Sequence, residues 1–158
     1  MKVLTLAFLA VALVLSGCGD DDADAAASEL PEVVQRYYDA LMDGDSGALA
    51  ALFTDDGVLE GTGEGDVRMP LSGPNTISSM MGAWFDYVDY TDIEATDVIT
   101  IRNTVVVVSR ASGDSSTHAR GPGGDKTPFS APLVDVFDLH GDLIARCDGY
   151  VEYDEVVN

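Results

Sequence analysis

The sequence predicts an α+β domain: a cone-shaped, curved antiparallel sheet with three N-terminal helices packed on its concave face. Two observations carry this. Apolar residues recur at helical spacing in three stretches before residue 86, and beyond Asp89 β-branched and aromatic residues take over in runs separated by turn signals. Helices first and strands afterwards place the helices on one sheet face, and a strongly curved sheet covered in this way encloses a conical pocket.

The elements follow in order. Ser28-Glu29-Leu30-Pro31 opens the first helix, proline being favoured in a first turn, and Val33, Val34, Tyr37 and Leu41 give its apolar stripe. Asp43-Gly44-Asp45 stops it, and Ser46 is placed to cap a second helix carrying Leu49, Leu52 and Phe53. Asp55-Asp56-Gly57 turns the chain into a short strand, Val58-Leu59-Glu60, and the Gly-rich residues 61–73 read as a loop. Asn75 starts a third helix with Ile77, Met80, Met81, Trp84 and Phe85 on one side, first of all a packing surface. Four strands are expected at 93–101, 104–111, 127–139 and 143–153, with turns at Arg102-Asn103 and His140-Gly141. Gly121 to Asp125 is an irregular connection without a following helix or a lysine suited to a phosphate loop.

The N-terminus is an address. Lys2 precedes an unbroken apolar run from Val3 to Leu15, then Ser16-Gly17-Cys18 and Asp20-Asp21-Asp22. The run is shorter than the roughly 20 residues that span a bilayer, and its layout is that of an export signal. It resembles a bacterial lipoprotein signal, which implies cleavage after residue 17 and an acyl anchor on Cys18. Residues 18–28 then form an acidic, flexible tether, and 29–158 one domain facing the periplasm or exterior of the cell envelope. The formal charge of −20 repels nucleic acid and favours solubility. With Cys18 lipidated, Cys147 is left alone and reads as a small core residue, and no Cys/His spacing suggests a metal or other cofactor.

Several segments carry a family resemblance: Val33-Val34-Gln35-Arg36-Tyr37, Ala40-Leu41, Gly44-Asp45, Ala51-Leu52-Phe53 and Asp55-Asp56, then Ala131-Pro132, Val134-Asp135-Val136-Phe137 and Gly141. They resemble the nuclear transport factor 2-like (cystatin-like) superfamily, with its ketosteroid isomerases, SnoaL-like polyketide cyclases and limonene epoxide hydrolases. The middle, 61–127, aligns loosely. The resemblance to ketosteroid isomerase puts Tyr37 and Asp135 on the two oxyanion donors; that enzyme is the standard case of a carboxylic acid kept protonated by an apolar site. Its proton-shuttling base falls on Gly61, with Glu60 one residue early and pointing the other way by strand alternation. The limonene hydrolases put an aspartate near Asp148 and match Arg110, but their second aspartate is Ser112.

These readings leave three functions open. The first is a binding module holding a small, largely apolar molecule against Tyr37, Leu52, Trp84, Phe85 and Phe137. The second is an isomerase- or cyclase-like enzyme in which Asp148 or Glu60 moves the proton. The third is a scaffold, homodimeric through its outer sheet face. His118, in a polar loop, is the remaining acid–base candidate and reads first as exposed at a hairpin tip, while His140, before Gly141, reads as a turn residue.

Overall fold

In the computed structural model, residues 29–62, 68–116 and 125–151 are described. Cys18, the acidic tether, His118 and the Gly121–Gly124 connection lie outside them. Three helices, α1 (Glu32–Met42), α2 (Ser46–Ala50) and α3 (Pro74–Phe85), accompany six strands. The strands are β1 (Phe53–Thr62), β2 (Arg68–Ser72), β3 (Val88–Ile101), β4 (Thr104–Ser115), β5 (Thr127–His140) and β6 (Leu143–Val151). They form one curved sheet in the order β2-β1-β6-β5-β4-β3. Neighbours run antiparallel except β1 and β6, which pair parallel.

Local chemistry explains the helix boundaries. Pro31 stands at the N-cap of α1, so its missing N–H costs nothing there. The cap of α2 is Asp45 rather than the expected Ser46: its carboxylate accepts from the Ala48 N–H at 2.8 Å. Phe53, expected on that helix, opens β1 instead. Pro74 occupies the first turn of α3, where Ile77 is fully buried but Met80 is 42% exposed, so the apolar stripe is narrower than its sequence suggests.

Residues 68–72 form an edge strand where a loop was expected. Pro70 within it is tolerable because an edge strand leaves one row of backbone groups unpaired. β3 begins five residues before the expected Ile93. At the β5–β6 turn Gly141 takes a left-handed φ of 64°, a conformation without penalty for glycine, while His140 ends the strand before it.

The core lies between the helices and the inner sheet face. Val34, Leu49, Leu52 and Ile77 pack against Val105, Val107, Phe137, Ile144 and Cys147. Each such large side chain contributes about 1.5–3 kcal/mol on burial. Cys147 is a free, fully buried thiol.

Candidate functional site

Strand alternation decides which residues can meet inside the cone. On β5, Ala131, Leu133, Asp135 and Phe137 are buried in alternation, and on β4 Val105, Val107, Ser109 and Ala111. Asp135 stands opposite Val107 on one side and Gly149 on the other, and Gly149 in turn opposite Gly61. Leu59, Cys147 and Phe137 form the next row on the same face.

Asp135 is 3% exposed, and its Oδ2 accepts a 2.8 Å hydrogen bond from the Tyr38 hydroxyl. The tyrosine bonded to the acid is therefore Tyr38, not the neighbouring Tyr37. Tyr37 is also buried; its hydroxyl interacts with the Cys147 thiol, and its ring meets Phe137 edge-on at a centroid distance of 5.2 Å. Helix residues one apart differ in direction by about 100°, so α1 sends one tyrosine towards β5 and the other towards β6.

Burial pushes the Asp135 carboxyl up to about 7, against the downward pull of the Tyr38 hydrogen bond. The same desolvation, with Asp135 nearby, raises both tyrosines and Cys147 above their ordinary values. When Asp135 is protonated, its proton belongs on Oδ1, since Oδ2 already accepts from Tyr38. That oxygen faces Gly149: a Cβ there would stand 3.0 Å from it. Glycine at 149 thus lets β6 pack closely against the acid, and a Cβ at Gly61, the next residue in that row, would meet nothing within 4 Å. Ser109, 2% exposed, sets its hydroxyl beside that of Tyr38, which slightly offsets the effect of burial on the phenol.

The other acids lie across the sheet. Glu60 and Asp148 are register partners on β1 and β6, one residue off Gly61 and Gly149, and so occupy the outer face. There Arg146 joins them: its Nε donates to Asp148 Oδ2 at 2.9 Å and its Nη2 to Glu60 Oε2, with Asp148 Oδ1 2.8 Å from Nη2 but outside hydrogen-bond geometry. Neither acid can serve as a base inside the cone. Arg110 is also on the outer face, opposite Pro132, near Ser130 and four positions along from the Val106–Val136–Asp148 row. The epoxide-hydrolase constellation is therefore not assembled.

A hollow opens further along the inner face, past Leu133. Trp84, Val88, Tyr90, Phe129, Ala131 and Leu133 form most of its wall, and its volume is about 60 Å³. At roughly 10–15 Å³ per water-sized group, that holds about four to six such groups, far short of a steroid skeleton. Of the expected ligand-facing residues, Trp84 alone is on this wall. Leu52 and Phe137 are fully in the core, and Phe85 packs against it at the turn that follows α1. The signal for Tyr90 and Phe129 was faint: each is a single aromatic at the start of a strand. Among the described residues no cluster of three His, Cys, Asp or Glu could hold a metal, and no helix is long and apolar enough to cross a membrane.

A helix-covered, curved sheet with a buried tyrosine–carboxyl pair and a small apolar hollow defines the class: a cone-shaped pocket domain of the nuclear transport factor 2-like superfamily. The chain belongs to the SnoaL-like domain family, whose profile matches residues 34–147. It is similar to a protein of ketosteroid isomerase-like fold from Catenulispora acidiphila, solved in complex with trimethylamine, at 20% identity, TM-score 0.65, and coverage of 77% of this chain and 86% of the other. A SnoaL-like polyketide cyclase from Shewanella denitrificans gives 15%, TM-score 0.64, 77% and 89%. An epoxide hydrolase of the limonene type from M. tuberculosis gives 17%, TM-score 0.58, 76% and 80%. No curated protein matches the chain.

Proposed function

We propose that the protein is a lipid-anchored binding module of the cell envelope, tethered through Cys18, that holds a small, largely apolar molecule in the hollow beside Trp84. One observation carries this reading over catalysis. The base position is Gly61, both substitute acids are clamped by Arg146 on the outer face, and among the described residues no second carboxylate is buried on the inner faces of β1, β4, β5 or β6. A missing general base removes about 10²–10⁴-fold in rate. The trimethylamine bound by the Catenulispora protein is of the size this hollow admits.

Trp84 is the sole tryptophan and stands on the wall, so its fluorescence reports occupancy. Titration with a panel of compounds of four to six heavy atoms is expected to give a saturable change, lost on filling the hollow with Ala131→Leu. If no compound saturates, the pocket reading is wrong. Labelled palmitate is expected to enter the full chain in a bacterial host but not its Cys18→Ser variant; equal labelling would remove the anchor.

An enzymatic reading keeps one observation on its side. Asp135 is an acid poised near neutrality beside Tyr38, with its second oxygen against Gly149, and such a pair can donate to a developing oxyanion. Enolisation of a small ketone, measured as deuterium exchange at its α-carbon and abolished by Asp135→Asn, would favour it.

A further inference from the structure

The hollow has a wall chemistry that is more specific than apolar. Trp84, Tyr90 and Phe129 all face it, and the Tyr90 and Phe129 rings stand 6.0 Å apart at 83°, closing a corner with two perpendicular aromatic surfaces. Aromatic faces carry negative potential, and rings gathered around a volume of this size attract a cation that has shed its water. Aliphatic side chains, Val88, Ala131 and Leu133 among them, make up most of the remaining wall; of its two serines, Ser130 is already engaged with Ser112 and Arg110, which leaves Ser115, too few acceptors to replace the hydration of an ammonium with several N–H donors.

The surrounding charge has the same sign. Trp84 lies in the last turn of α3, a helix of 12 residues with Asp86 at its C-cap and no basic side chain in that turn. The carbonyl end of a helix is equivalent to about half a negative charge, here left uncompensated beside the hollow. Among the described residues two basic ones are near: Lys126, just before β5, is taken up by Asp89 at 2.7 Å, and Arg110 reaches the lining residue Ser130 from the outer face of the sheet. The whole chain carries −20, a field that concentrates cations and repels anions.

We infer that the ligand is a small, fully or nearly fully alkylated ammonium ion, held by Trp84, Tyr90 and Phe129 through cation–π attraction. The inference rests on the proposed pocket and narrows its occupant. Methyl groups satisfy the aliphatic wall while the spread positive charge meets the rings, and a volume of four to six water-sized groups matches a tetramethylated nitrogen.

The test uses the full chain and two probes of the same shape, tetramethylammonium chloride and uncharged tert-butyl alcohol, followed by Trp84 fluorescence at constant ionic strength. Tetramethylammonium is expected to saturate, with tert-butyl alcohol at least about ten-fold weaker, as the loss of one or two cation–π contacts implies. A double variant, Tyr90→Leu with Phe129→Leu, is expected to lose about ten-fold for tetramethylammonium and little for the alcohol, with its thermal melt confirming that it folds. Equal affinity for both probes would overturn the ammonium while leaving the apolar pocket standing. Binding of the alcohol alone would do the same. No saturation by either would remove both readings, and a response reproduced by sodium chloride would reduce the effect to bulk screening. The comparison of probes on the unsubstituted protein decides the matter even if the double variant does not fold.

Discussion

Phe137→Ala is expected to lower the stability of the domain by about 3–5 kcal/mol, the range for deleting a fully buried phenylalanine. Phe137 has no exposed surface and is the ring on which α1 is seated: Tyr37 meets it at 5.2 Å and Tyr38 at 6.2 Å, both edge-on. Removing it deletes transfer energy, leaves a cavity that both tyrosines line, and forfeits two aromatic contacts worth about 0.5–1.5 kcal/mol each. Urea unfolding should show a lower midpoint with an unchanged slope. A loss below about 1 kcal/mol would mean that α1 can settle into the gap and that this ring does not hold it.

Asp135→Asn is expected to change how stability depends on pH. The folded carboxyl titrates at about 7 and the unfolded one at its ordinary value near 4. Between those values the folded protein retains a proton that the unfolded chain has released. The stabilisation is therefore full below about pH 4, declines as pH rises through the window and is gone above about 7. Integrated over that window, it is on the order of 4 kcal/mol. Asparagine can still accept from Tyr38 but does not titrate, so its advantage over aspartate should grow from about pH 4 to about pH 7 and level off above that. Paired urea titrations at four pH values would show this divergence. Parallel pH profiles for the two proteins would place Asp135 in contact with water and empty the interior of its acid.

The α+β class and most element boundaries were legible because periodicity follows directly from burial. Asp135 could be singled out from an apolar strand, and its surroundings do force an unusual acid. The choice between Tyr37 and Tyr38 could not be made from register alone: both are large, adjacent and compatible with burial, and only the roll of α1 over the sheet separates them. Asp148 shows a signal that was available. Cys147 reads as core, and alternation then sends its neighbour to the far side, where Arg146, two residues away on the same face, reaches it. β2 stayed hidden because an edge strand needs neither alternation nor a proline-free sequence. The wall of the hollow was obscure for a related reason, since Tyr90 and Phe129 sit far apart in the chain and meet only through the register of β3, β4 and β5.

The parallel seam between β1 and β6 has a consequence for biosynthesis. β1 emerges from the ribosome early but is bonded on its inner side to the last strand described, so the sheet cannot close until nearly the whole domain has been translated. Pairing across so long a separation is slow relative to local hairpins. A nascent chain halted before Leu143 would hold β3, β4 and β5 as a meander while β1 and β2 waited as an unattached hairpin. That late fastening leaves the β1 edge without its inner neighbour until β6 has been made.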